Sequence, residues 1–293
     1  MAAAAEDPGE GESTAVSAQP RQFIVTVYGL YSRTDGGWLS VASLISLLAD
    51  LGIDAPAVRS SISRLKRRGI LQAERRGGTA GYALSGEGLS VLREGDHRIF
   101  RRQRATLADG WLLAMFSVPE SERSKRHLLR SRLTRLGFGT AASGVYIAPA
   151  HLYDTTAEML RRLELDGYAD LFRADHLAFD NLDDKVRQWW DLGRLERLSH
   201  EFVQQYATVL DRVANSRPCV GAERSPAPDE RAAFVDYVRV LTDWRQLPYL
   251  DPGLPRELLP ADWAGIRAAD LFFTLQTRLE TSARNYVTAA LAR

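Results

Sequence analysis

Between Trp38 and Leu84 the chain passes in order through an amphipathic helix, a glycine turn, an arginine-rich helix and a glycine-tipped hairpin, an order that few folds accommodate. The spacing predicts a first helix over Ser40 to Asp50, capped by a serine and burying Val41, Leu44, Ile45 and Leu48. Gly52 turns the chain, and Asp54 is placed to cap a second helix, Ala55 to Arg68, whose Val58, Ile62 and Leu65 recur on one face. Gly69 ends that helix. Ile70 to Arg75 then reads as a strand, Arg76 to Gly81 as a flexible tip and Tyr82 to Leu84 as the returning strand. A helix from Gln22 to Tyr31, with Phe23, Ile24, Val27, Leu30 and Tyr31 apolar, packs beneath the pair in this reading. The layout is that of a winged helix-turn-helix.

At about 100° per residue, Ser60, Ser63 and Arg67 lie opposite Val58, Ile62 and Leu65, with Arg59 and Arg64 flanking them. Such a short, polar, cationic face suits the major groove of duplex DNA, where arginine reads guanine edges or grips phosphate and serine adds hydrogen bonds without blocking close approach. Arg75 and Arg76, at the hairpin tip, are expected along the backbone or in the minor groove. A solvated charged helix face is the bland alternative. The chain has 38 basic and 37 acidic residues, yet Ala55 to Arg76 holds Arg59, Arg64, Lys66, Arg67, Arg68, Arg75 and Arg76 against Glu74 alone. A solvated face normally mixes its signs, so the concentration favours a polyanionic partner.

The 293 residues suffice for two or three domains of ordinary globular composition. No apolar run approaches the roughly 18 to 20 residues that span a bilayer. The first residues lack the basic start and apolar core of a signal peptide, and one cysteine, Cys219, makes no internal disulfide. The expectation is therefore a cytoplasmic protein.

The domain expectations follow the chain. Residues 1–19, rich in Ala, Gly, Glu and Ser, read as a disordered tail, and residues 20–95 as the winged helix-turn-helix domain. Residues 96–108, including His97-Arg98-Ile99-Phe100-Arg101-Arg102-Gln103-Arg104, form a basic linker that either touches phosphates or is simply solvated. Residues 109–182 read as strand (Trp111–Phe116), helix (Ser121–Leu136), a glycine-rich turn, strand (Gly144–Ala148), a helix opened by a Thr155/Glu158 capping box, and strand (Leu171–Ala174). That order is ferredoxin-like. Residues 183–293 carry only helical periodicity, with a long stripe through Leu195, Leu198, Phe202, Tyr206, Leu210 and Val213, a proline-rich loop from Asn215 to Asp229, and helices built on Phe234, Val238 and Leu241 and on Leu271, Leu275 and Leu279. The fold class expected is thus α+β multidomain, closing in an all-helical domain.

Three separated motifs resemble the PaaX family of bacterial transcriptional repressors: Ala57-Val58-Arg59-Ser60-Ser61-Ile62-Ser63-Arg64-Leu65, Gly144-Val145-Tyr146-Ile147-Ala148-Pro149, and the segment Asp251-Pro252-Gly253-Leu254-Pro255-Arg256-Glu257-Leu258-Leu259-Pro260-Ala261-Asp262-Trp263. The resemblance runs from about Arg21 to the C-terminus. It implies a homodimeric repressor of an aromatic-acid catabolic operon of the phenylacetate type, bound to double-stranded operator DNA and released by an aryl-acetyl-CoA thioester. The middle region also resembles the ferredoxin-like nucleases of CRISPR systems, whose first strand ends in a metal-binding Asp; here Ser117 follows Phe116. A metal-dependent nuclease, with Glu120 further on, and an activator without a small effector are the alternatives.

No sequence motif calls for an enzyme, a cofactor or a metal. There is no P-loop, no Gly-x-Ser-x-Gly and no metalloprotease helix, and Gly137-Phe138-Gly139 starts no phosphate loop. His97, His127, His151, His176 and His200 have no ligand spacing, and Cys219 reads as an incidental thiol. Asp180, Asp183 and Asp184 fit a helix N-terminus as well as a metal site. A CoA-type effector needs cations and an apolar slot. Arg187 with Trp189 and Trp190, or Trp244 with Arg245, combine both, but core packing explains the tryptophans better, and no effector-binding residue is assigned.

Overall fold

The computed structural model of the chain describes residues 13–33, 36–101, 104–177, 179, 181–215 and 229–292. Helix α1 spans Ser13–Val27 and continues as a π-helical turn, Tyr28–Ser32. It thus starts well before Gln22, with Pro20 inside it, and takes in part of the stretch read as a tail. Strand β1, Trp38–Ser40, is too short to announce itself in sequence. Ser40 caps α2, Val41–Asp50, accepting from the Ser43 amide, and Asp54 caps α3, Ala55–Arg67, accepting from the Ala57 amide at 2.7 Å. Both caps satisfy amide groups that the first helical turn leaves without partners. Leu44, Leu47 and Leu48 are buried on α2, with Val41 and Ile45 half-buried beside them.

The hairpin is tighter than the sequence suggests. Strand β2, Leu71–Arg76, pairs with β3, Thr79–Leu84, to the last residue, Arg76 opposite Thr79, so only Gly77 and Gly78 form the turn. Both take positive φ, 55° and 81°, the conformation that two-residue hairpin turns demand and that glycine adopts without strain. With β1 they make an antiparallel sheet of order β1-β3-β2, and α4, Gly86–Phe100, follows.

A second antiparallel sheet comes from β4 (Trp111–Phe116), β5 (Gly139–Ala142), β6 (Val145–Pro149) and β7 (Ala169–Ala174), in the order β5-β6-β4-β7. β5 replaces the expected turn: Gly-Thr-Ala-Ala shows no hydrophobic alternation, but its backbone pairs with β6 across a bulge. Helix α5, Arg123–Arg135, joins β4 to β5, and α6, Tyr153–Arg162, joins β6 to β7. The capping box at Thr155 and Glu158 does not form. The helix begins two residues earlier, at Tyr153, and the neighbouring Thr156 hydroxyl donates to the Leu152 carbonyl instead. Leu112, Ala114, Tyr146 and Ala148 of the sheet and Leu129, Leu133, Met159 and Leu160 of these helices share one core.

The remaining elements are helices: α7 (Leu182–Trp189), α8 (Leu192–Asn215), α9 (Glu230–Trp244), α10 (Gln246–Leu250) and α11 (Ala264–Leu291). Cys219 and most of the loop expected over Asn215 to Asp229 lie outside the described residues. The protein is thus a mixed α+β chain with two small antiparallel sheets. Its compact units are discontinuous: one gathers Met1–His97, Phe202–Trp244 and Ala269–Arg293, the other Arg98–Glu201 and Arg245–Ala268.

In the first unit α1 is buried on several sides. Phe23, Ile24, Val27 and Tyr28 are at most 3% exposed, and the Tyr28 phenol, whose pKa burial pushes up, donates to the Tyr82 carbonyl of β3 at 2.9 Å. Thr26 of α1 shares a buried 2.7 Å hydrogen bond with Thr242 of α9. Removing one member of such a pair strands the other, whereas removing both does not. Thr26→Val or Thr242→Val alone is therefore expected to cost about 1 to 3 kcal/mol in urea unfolding, and the double variant less than the sum of the two.

Candidate nucleic-acid interface

Helix α3 is anchored through Val58, Ile62 and Leu65, which are 0, 2 and 5% exposed, with Ser61 also buried. Its other side carries Arg59, Ser60, Ser63 and Arg67, all exposed, while Arg64 is half-buried. Lys66 and Arg68 add exposed cations near the C-terminal end, where the helix dipole favours positive charge. The five sequence-predicted residues of this helix therefore share one outward side, four of them fully presented. No acid lies within α3 to neutralise them.

The two hairpin arginines behave differently from one another. Arg75 is exposed and donates to the Gly78 carbonyl at 2.6 Å, leaning across the turn. Arg76 is folded back onto the protein: its Nε donates to the Glu74 carboxylate at 2.6 Å, a second nitrogen donates to the Gly36 carbonyl at 3.2 Å, and its guanidinium lies 5.4 Å from the centre of the Trp38 ring. Both arginines, expected along the DNA backbone or in the minor groove, are thus exposed, Arg75 across the turn and Arg76 in a clasp on the protein. Trp38, to which sequence reasoning gave no role, holds the clasp, since its indole also donates to the Glu74 carbonyl at 3.1 Å. Gly81 makes room for it, because a Cβ there would sit 2.4 Å from the indole. A glycine inside a strand marks such an approach, and that was the available signal.

The basic connector is largely committed elsewhere. His97 to Phe100 belong to α4, Arg98 donates to the Arg135 and Leu136 carbonyls that end α5, and Arg104 bonds the Leu254 carbonyl at 3.0 Å and Asp251 at 3.1 Å. Arg102 and Gln103 lie outside the described residues. Arg98 and Arg104 thus brace the second unit internally, while Arg101 is exposed.

At the end of β4, where a nuclease of the resembling kind places a metal-binding Asp, Ser117 is exposed and Glu120 is paired with Arg126 at 3.0 Å. Among the described residues no three His, Cys, Asp or Glu side chains are grouped closely enough to hold a metal ion. Asp183 and Asp184 occupy the first turn of α7 behind an Asn181 cap, and Asp180 lies outside the described residues. Two of the three tryptophans weighed for an effector slot are core: Trp190 is 8% exposed and stacks on Trp111 at 6.0 Å, and Trp244 is 2% exposed and stacks on Phe272 at 4.8 Å, while Trp189 is half-buried with its edge toward Trp111.

Family models match the chain in succession: a PaaX-like protein model over residues 19–88, the PaaX protein central Cas2-like domain over 104–186, and the PaaX-like protein C-terminal domain over 190–289. The transcriptional repressor PaaX of Escherichia coli K12 is 26% identical over 276 residues, covering 93% of this chain and 84% of that protein. The structure of the uncharacterized protein Rv0674 from Mycobacterium tuberculosis matches with a TM-score of 0.56 at 24% identity, over 89% of this chain and 97% of that one, a likeness of fold. Among the described residues no helix is long and apolar enough to cross a membrane. Matched from its first helix to its last, the chain belongs to the PaaX family of transcriptional regulators.

Proposed function

We propose that the chain is a DNA-binding repressor that reads duplex DNA with α3. The observation that carries this reading is the exposed row Arg59, Ser60, Ser63 and Arg67 on a helix whose opposite face is closed on a core. In this reading α2, α3 and the β2–β3 hairpin form a winged helix-turn-helix domain within residues 20–95, with Arg75 as the wing contact. Residues 109–182 are a ferredoxin-like domain, supported by the sheet order β5-β6-β4-β7, in which the first and third strands are central. Residues 183–293 supply the helices. A single winged helix reads few base pairs, so the regulator acts as a homodimer on a palindromic operator in the cytoplasm. The family resemblance supplies the effector class, an aryl-acetyl-CoA thioester of a phenylacetate-type pathway.

Operator affinity measured on a duplex selected from random sequence tests the interface. Arg59→Ala and Arg67→Ala are each expected to weaken binding by about 1 to 3 kcal/mol where they read a base, with unchanged unfolding. A variant that loses only a phosphate contact instead lowers the slope of log affinity against log salt by about one. Arg64→Ala belongs in the same series, but half-burial gives it a stability component as well. Affinities untouched by both Arg59→Ala and Arg67→Ala would remove α3 from the interface. Arg76→Ala is expected to disturb the hairpin more than the affinity, read by amide exchange over β2 and β3.

Titrating the protein–operator complex tests the effector. Phenylacetyl-CoA is expected to release DNA and phenylacetate to leave the complex intact, because a ligand shifts the equilibrium only by its differential affinity for the two forms. Release by another acyl-CoA alone assigns a different pathway. In a deletion strain, reporter expression from the target promoter rises for a repressor and falls for an activator.

A further inference from the structure

The second unit holds a cleft of about 460 Å³ at the end of β4, lined by Ser117 and by two arginines to which no role was given. Its volume is within the usual range for small-molecule sites, about 300 to 1,000 Å³. One wall is α5, where Arg126 and Arg130 stand four residues apart and so on the same face. Ser117, Thr140 and Ser143 also line it, as does Phe116 stacked on Tyr146, with ring centres 5.5 Å apart and planes 23° from parallel.

Both guanidiniums are held in place by groups that leave part of their donor set directed elsewhere. Arg126 donates to the Val118 carbonyl at 2.6 Å and meets Glu120 at 3.0 Å; the Arg130 Nε donates to the Tyr146 hydroxyl at 3.3 Å. A guanidinium has five N–H groups, so each retains donors for an anion after these bonds. Glu120 is 74% exposed, and a surface ion pair of that kind contributes little, so a better acceptor displaces it at small cost. Arginine forks fit phosphate oxygens bidentately, and a ring laid on Phe116 extends the aromatic stack.

We propose that this cleft binds a phosphate-bearing small organic anion with a planar ring, the phosphate on Arg126 and Arg130 and the ring against Phe116. As a binding site it stands on the cleft alone; as the seat of a regulatory ligand it rests on the repressor reading above.

Calorimetric titration of the full chain at about 0.15 M salt with inorganic pyrophosphate, ADP and coenzyme A tests it without DNA present, so that its failure leaves the operator reading untouched. Saturable binding of ADP or coenzyme A is expected, at least tenfold tighter than pyrophosphate because of the ring. Arg130→Gln is expected to weaken it tenfold or more, and Glu120→Gln to tighten it by removing the competing carboxylate. Ser143→Trp fills the cleft from an exposed loop position and is expected to abolish binding with an unchanged melting curve, while Arg67→Ala on α3 leaves it unaltered. Absence of saturable binding of all three probes, equal affinity for pyrophosphate and ADP, or binding indifferent to both Arg130→Gln and Ser143→Trp overturns the proposal.

Discussion

The first unit depends on the burial of α1. Three short helical segments and a two-glycine hairpin enclose little apolar surface by themselves, and small cores supply only a few kcal/mol. Ile24, Val27 and Tyr28 are fully buried, and the Tyr28 phenol ties α1 to the returning strand of the hairpin. The buried Thr26–Thr242 bond then joins the same helix to α9. A second tie sits at the end of α2, where Asp50 accepts from Arg231 at 2.7 Å and from the Tyr286 hydroxyl. The α2–α3 segment is therefore finished by residues 181 to 236 positions away in the chain, and the cationic face of α3 stays exposed while its other side packs on the core.

What sequence shows and what it hides follows from the range of each interaction. The caps at Ser40 and Asp54, the stripe Val58, Ile62, Leu65 and the apolar run Trp111–Phe116 are local signals, and each lies where the sequence put it. β1 and β5 were illegible because three or four residues carry no periodicity, and their partners, β3 and β6, define them only through backbone pairing. The clasp on Arg76 was illegible for the same kind of reason. Its charge is local information, but the Trp38 ring that captures it lies 38 residues earlier. At Thr155 the local pattern was present and misleading, since tertiary packing begins α6 at Tyr153.

The motifs that carry the family resemblance prove to be braces as well as signatures. Asp251 and the Leu254 carbonyl hold Arg104, the Gly253 carbonyl accepts from the Ala105 amide at 2.9 Å, and Trp263 is 2% exposed. Gly144, at φ 77°, accepts from the Phe116 amide at 3.1 Å, and Tyr146 two residues on stacks against that phenylalanine. This proline-rich stretch thus fixes the second unit's opening segment. The middle motif shapes the cleft beside α5.

Arginine is the commonest functional candidate in this chain, and charge alone does not rank its members. An exposed ion pair such as Arg76–Glu74 contributes about 0 to 1 kcal/mol and an exposed cation–π contact about 0.5 to 1. Drawing Arg76 out to a phosphate forfeits both together with its bond to the Gly36 carbonyl, a modest loss but a larger one than an arginine facing only solvent bears. Arg98 and Arg104 face a larger loss, because withdrawing either strands carbonyl oxygens or the Asp251 carboxylate in a partly buried site. Arg59 and Arg67 give up only water, and Arg75 one bond across its own turn. The ordering of arginines by what each forfeits, rather than by where positive charge is densest, favours α3 and Arg75 of the hairpin as the surface on which a polyanion gains most.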